Sequence, residues 1–266
     1  MLSSFRSTFR SELVKLTNPT ALAVGLIPAG FVIVSMVLAV GNASDQPDDR
    51  GPVGIAPSRQ QLAEAGGLAD ALGTSALFLG VVSLCIAAAS FGGEYSRSTL
   101  RNLLMRQPRR LVLVAGKSAC VACYLAAAVA LSCVAGALAG FALAPTNDVS
   151  TAAWTTAGGY GAAAATTGNL IVASLAWAAV GSALAIFARS PTAAIAGGLA
   201  YAIPGEIVLT SIEPIRDLLP GEAFRAVATG GSPDLSYPAA LVVVLVWCGA
   251  ATAASWSLFV RRDVLT

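Results

Sequence analysis

The sequence predicts an all-α membrane protein in a single domain, residues 1–266: an interfacial amphipathic helix, then six transmembrane helices, with both termini cytoplasmic. Three observations lead there. Apolar residues make up 56% of the chain and charged residues 11%, with a mean hydropathy of +0.75. A soluble domain has about a quarter of its residues charged, and without them nothing covers a core of this size. Apolar stretches of bilayer length recur, and the charges fall between them with a consistent alternation of sign.

Residues 1–18 place Leu2, Phe5, Phe9, Leu13 and Leu16 at three- and four-residue steps, with Arg6 and Arg10 on the opposite face. That spacing is helical, and such a helix lies in the interface, apolar side down, with its cations near lipid headgroups. The interfacial residues are Phe5, Arg6, Phe9, Arg10, Glu12 and Lys15. Asn18 can cap the next helix, and Pro19 fits its first turn, where a missing N–H costs nothing. About twenty apolar residues cross the hydrocarbon, which places spans at about 20–41, 73–91, 111–144, 162–188, 192–212 and 237–260. The first apolar run is longer than a cleaved signal core and is read as retained.

Residues 42–72, rich in Asp, Gly and Pro, form an acidic outer loop. Gly92-Gly93 is read as the end of span two. The third apolar stretch exceeds what a bilayer requires, so its first turns project beyond it. Gly136 and Gly140 within it form a GxxxG close-approach face. The fifth span is interrupted at Pro204, Gly205 and Glu206. A break at membrane depth is tolerated where it is buried in protein or faces water, so the stretch that follows is read as dipping back into the outer leaflet.

The charges fix an orientation. With both ends inside, twelve of the sixteen Lys and Arg residues are cytoplasmic: Arg6, Arg10, Lys15, Arg97, Arg101, Arg106, Arg109, Arg110, Lys117, Arg189, Arg261 and Arg262. Only Glu12, Glu94 and Asp263 accompany them, which satisfies the positive-inside rule. Six of these cations fall within residues 97–117, at the junction of spans two and three, making residues 92–110 a cytoplasmic loop.

Several chemistries are excluded or weakened. The chain has no His, which removes most general-base and metal schemes. The five cysteines lie in apolar segments, where they pack as small side chains. Cys120 and Cys123 make a lone CxxC, read as packing. Gly116-Lys117-Ser118 resembles the end of a phosphate-binding loop, but Leu111 stands where that motif needs glycine. No catalytic residue and no metal site is expected. Glu206 is a carboxylate within a span, which costs roughly 3 kcal/mol at mid-membrane. It is read as hydrated near the outer mouth, with a place on a translocation path as the functional alternative.

In the loop itself, Ser98 can cap a short helix in which Leu100, Leu103 and Leu104 share one face, and Pro108 stops it. A short helix carried on two long spans passes force to both.

Across its whole length the chain resembles a permease of the ABC-2 type, the membrane half of an ATP-driven bacterial exporter. The resemblance rests on the SELVKL amphipathic helix, the six spans and the Pro-rich outer segment before span six. Its most specific part is the loop, where Phe91, Glu94, Thr99, Leu100, Arg101, Leu104, Pro108, Arg110 and Lys117 stand at the family's spacing; Ser98 replaces a frequent Gly. The resemblance implies that Phe91, Glu94, Tyr95, Ser98, Thr99, Leu100, Arg101, Leu104, Arg109 and Arg110 dock an ATPase. It implies two copies of a separate cytoplasmic ABC ATPase as partners, a second permease subunit in a homo- or heterodimer, and membrane lipid, with no nucleic acid. This chain, multi-pass in the bacterial cytoplasmic membrane, would bind no cofactor and would not itself be an enzyme, ATP and Mg being held by the partner ATPase. A proton-coupled secondary transporter and a noncatalytic membrane anchor for a signalling ATPase are the alternative readings.

Overall fold

The computed structural model describes residues 2–44, 57–96 and 110–261. The chain is all-α: among the described residues the only β pairing is an isolated bridge between Ser44 and Ser58. Six helical stretches are long and apolar enough to cross a bilayer: Pro19–Gly41, Ala76–Ser96, Val112–Asn147, Ala157–Ala188, Pro191–Leu209 and Tyr237–Leu258. It is a multi-pass membrane protein.

Helix α1 (Leu2–Leu16) ends one turn before Asn18, whose Oδ1 accepts from Ala21 N at 2.7 Å and whose Nδ2 donates to Lys15 O at 2.7 Å. One side chain thus ties off α1 and caps α2 (Pro19–Gly25), with Pro19 in the first turn as expected. Span one is completed by α3 (Ile27–Gly41). The second span, α6 (Ala76–Ser96), follows α4 (Arg59–Ala63) and α5 (Gly67–Gly73). The third is α7 (Arg110–Leu143) and the fourth α8 (Ala157–Ala188).

Close packing explains where glycine sits. Gly136 of α7 receives Val32 of α3, to which an added Cβ would approach within 2.5 Å, and Gly140 receives Met36 at 3.0 Å. The GxxxG face is therefore occupied by span one of the same chain. Gly80 of α6 lies against the Trp177 indole, and Gly181 of α8 meets the Leu84 carbonyl oxygen, so α6 and α8 pack backbone to backbone.

The same reasoning corrects the expected end of span two. Gly92 and Gly93 lie inside α6, which runs on to Ser96. A Cβ at Gly92 would come within 2.6 Å of Pro191 N; this glycine makes room for a crossing chain and ends nothing. Two further boundaries differ from expectation. The loop between spans one and two contains α4, opened by a reciprocal capping box between Ser58 and Gln61, and the largely buried α5. Span four begins at Ala157 because Thr156 Oγ1 accepts from Gly159 N at 3.2 Å and starts the helix within a Gly-rich stretch that reads as loop.

The fifth span is broken as expected. Helix α9 (Pro191–Ala200) passes into a π-helical turn, Tyr201–Gly205, containing Pro204, and then into α10 (Glu206–Leu209) and α11 (Glu213–Arg216). Helix α12 (Pro220–Thr229) then turns back into the bundle, burying Ala223, Phe224, Ala226, Val227 and Ala228. Phe224 meets Trp177 edge to face at 5.3 Å. Trp177 lies eleven residues before the end of α8, about 16 Å of helix rise, which sets α12 at membrane depth. The last span is α13 (Tyr237–Arg261).

Two buried clusters result. The larger holds Met36, Leu72, Trp154, Trp177 and Phe224. The smaller joins Phe91, Leu113, Val121, Leu125 and Ile186, with Tyr95 and Leu258 against it. Leu258 of α13 thus packs on a cluster that holds Phe91 of α6, Leu113 of α7 and Ile186 of α8.

Candidate functional site

Lys117 sits two turns inside α7, beside Gly116. It is only 5% exposed, and a buried ammonium must be paired. Its Nζ donates to Glu94 Oε1 at 2.7 Å and to Glu12 Oε2 at 3.2 Å, and lies 5.3 Å from the centre of the Phe91 ring, within cation–π range. Lys15 closes the figure, pairing with Glu12 and reaching Glu94 Oε1 at 3.5 Å. Glu12, Lys117, Glu94 and Lys15 thus form a ring of alternating charge contributed by three elements: α1, the last turn of α6 and the start of α7.

The sequence builds this ring locally. Among residues 8–16 of α1, Thr8 and Glu12, one turn apart, are the buried ones. Gly116 lets that face approach, since a Cβ there would stand 3.1 Å from Thr8 Cβ. About a quarter turn further round, Leu13 is 41% exposed and Phe9 half-buried. Leu13, with Val14 at 67%, is therefore directed away from the bundle, where an interfacial helix presents apolar side chains. Higher on α7, Tyr124 Oη donates to Ala21 O at 2.5 Å, so α2 is pinned to the same helix.

Electrostatics follow from the geometry. Burial pushes the Glu12 carboxyl up, but the Lys117 and Lys15 ammoniums outweigh it and hold Glu12 below its ordinary 4.5. Burial lowers Lys15, and Glu12 and Glu94 together raise it above its ordinary 10.5. A depressed carboxylate stabilises the docked helix above its undocked pKa and loses that contribution as pH falls through the docked value; a raised lysine acts at the opposite limit. The docking of α1 is accordingly expected to be flat through neutrality and to fail on acidification below about 4.5, with Lys15's share lost only above 10.5. An environment-sensitive fluorophore on α1, followed during a pH titration, checks this.

The expected docking residues separate into two groups. Phe91 is buried beneath Lys117, Glu94 is in the ring, and Tyr95 packs on the smaller cluster. Ser98, Thr99, Leu100, Arg101, Leu104 and Arg109 lie outside the described residues, as do the side chains of Arg110, Phe5 and Arg6. Arg10 is exposed, Lys15 half-exposed and Glu12 buried. Glu94 and Glu12 are thus turned inward. The centrality of Lys117 was not foreseen. Its signal is a lysine within an apolar helix, which obliges partners, next to a glycine, which admits a neighbour.

Glu206 also differs from expectation. It is 9% exposed, and its Oε1 accepts from Glu222 N at 2.7 Å in the first turn of α12. The carboxylate, instead of being hydrated, holds the N-terminus of a helix, where amide donors and the dipole favour an anion. Gly221 allows this, because a Cβ there would overlap the carboxylate. Gly221→Ala is expected to expel Glu206 and cost about 1–3 kcal/mol, whereas Glu206→Gln keeps an accepting oxygen and costs less. Thermal unfolding of the detergent-solubilised chain distinguishes the two.

Compared with known proteins, the chain matches no family model, and no curated protein matches it.

Proposed function

We propose that this chain is the transmembrane permease subunit of an ATP-driven exporter, coupled to a separate cytoplasmic ATPase through the segment between α6 and α7. The observation that carries the reading is the charge ring. It joins the two helices that flank this segment, and the interfacial helix, at one buried lysine. A load applied between Ser96 and Arg110 is passed to spans two and three together, because Glu94 and Lys117 cannot separate without leaving buried charge unpaired. The distribution of cations sets this end on the cytoplasmic side, where an ATPase can reach it. The chain works as a homo- or heterodimer, its partner completing the path for the exported substrate, with ATP and Mg bound by the ATPase.

The test is coexpression with a candidate cognate ABC ATPase. The intact chain is expected to co-purify with the ATPase and to alter its ATP hydrolysis. Arg101→Glu is expected to abolish both effects while leaving the chain folded. A complex indifferent to Arg101→Glu and to exchange of residues 97–109 for a neutral linker would refute the assignment. Proton-driven transport by the purified chain alone would overturn the class.

A further inference from the structure

The four charges are arranged so that α1 can leave without stranding any of them. Glu12 and Lys15 are one turn apart on α1 and pair with each other. Glu94 and Lys117 pair across the ends of α6 and α7. Lift α1 away and the ring divides into two neutral pairs, one travelling with the helix and one remaining on the bundle. Pull α6 from α7 instead and both lysines are left with Glu12 while Glu94 loses both. The ring has a preferred line of separation.

The rest of the α1 contact fits that line. From residue 8 onward its buried residues are polar, Thr8 and Glu12, with Phe9 and Leu16 half-buried, while Leu13 and Val14, 41% and 67% exposed, are directed away from the bundle. Leu13 and Val14 are already placed for the bilayer surface. The joint is also present: α1 stops at Leu16, Asn18 is extended at φ −70° and ψ 156°, and α2 is separately pinned through Tyr124. Rotation at residues 17 and 18, at the cost of the Asn18 Nδ2–Lys15 O bond, moves α1 and leaves span one in place.

We infer that α1 is a releasable strap across the ends of α6 and α7, docked by the Glu12–Lys117 contact and undocking onto the membrane surface with its own Glu12–Lys15 pair intact. Docked, it bridges both ends and holds them together. Undocked, it leaves them joined by Glu94 and Lys117 and by the smaller apolar cluster, free to move as a pair. The inference stands apart from the exporter reading, since it concerns the chain alone.

Spin-label distances in the full chain, reconstituted in zwitterionic lipid nanodiscs without ATPase or substrate, test it. Labels go at Arg10→Cys and Ala188→Cys in a parent whose five native cysteines are replaced by alanine. Two distance populations are expected, docked and undocked. Glu12→Gln should raise the undocked population by roughly tenfold or more, the size expected for a lost charge-assisted bond. Gly116→Val should raise it as well, pushing Thr8 away without altering charge.

The exchange variant Glu12→Lys/Lys117→Glu decides between a strap and a fixed brace. Both charges on α1 are then positive and both on the bundle negative, so every contact across the interface is attractive and release strands two carboxylates together. Its undocked population should fall below that of the parent. One unvarying distance in the parent, Glu12→Gln and Gly116→Val would overturn the inference. So would an exchange variant released as readily as Glu12→Gln.

Discussion

Lys117→Met is expected to be the most damaging single charge removal in the chain. It deletes the one cation that contacts Glu12 and Glu94 together from within the bundle and leaves two largely buried carboxylates, 6% and 12% exposed, facing each other. Removing one partner from a buried pair typically costs about 3–5 kcal/mol. Lys15, half-exposed, covers part of the deficit, and release of α1 lets Glu12 hydrate, so the lower end of that range applies. The effect should divide between a lower unfolding temperature and a helix α1 that is open to protease. Adding Glu94→Gln and Glu12→Gln to Lys117→Met removes the stranded charges and is expected to recover most of the unfolding temperature while α1 stays loose. If the triple variant were as unstable as the single one, the ring would not be the source of the loss.

Gly181→Val is expected to be comparably severe for a different reason. Gly181 faces the Leu84 carbonyl oxygen, and Gly198, on α9, takes the Leu84 side chain, whose Cδ2 an added Cβ would approach within 2.5 Å. Backbone cannot move aside as a side-chain tip can, so the added atoms must separate α6 from α8. Overpacking of this kind costs about 1–3 kcal/mol or more. The damage extends further here, because α8 carries Trp177, on which both Gly80 and Phe224 of the inward-turning α12 rest. Thermal unfolding should show the loss. Gly30→Val, at a position with no atoms within 4 Å, is the matched control and should leave stability nearly unchanged.

What could be read from the sequence depended on the physics involved. The spans were legible because hydrocarbon demands long apolar runs and tolerates few charges. The Asn18-Pro19 junction was legible because capping is local chemistry. Breaks and boundaries governed by tertiary contact were not. Gly92-Gly93 looks like a terminator and is a crossing point. Glu206 looks like a hydrated carboxylate and is buried against a helix end thirteen residues downstream of its own short helix α10. The ring joins residues up to 105 positions apart, and no periodicity reports that. What the sequence did offer was an obligation: Lys117 within an apolar helix had to be paired, and Glu12 and Glu94 were the acids assigned to the same side of the bilayer.

Photo-crosslinking from the loop between α6 and α7 is the most direct measurement of how this chain is driven. A photoreactive amino acid is placed at Leu100 or Leu104 in the full chain, in cells that also make the candidate ATPase, and the adducts are identified by mass spectrometry. A coupled permease yields an adduct with the ATPase subunit from these positions and none from the outer position Asp148. Adducts with lipid alone, or labelling of a cysteine at residue 100 by a membrane-impermeant reagent added outside intact cells, would contradict it.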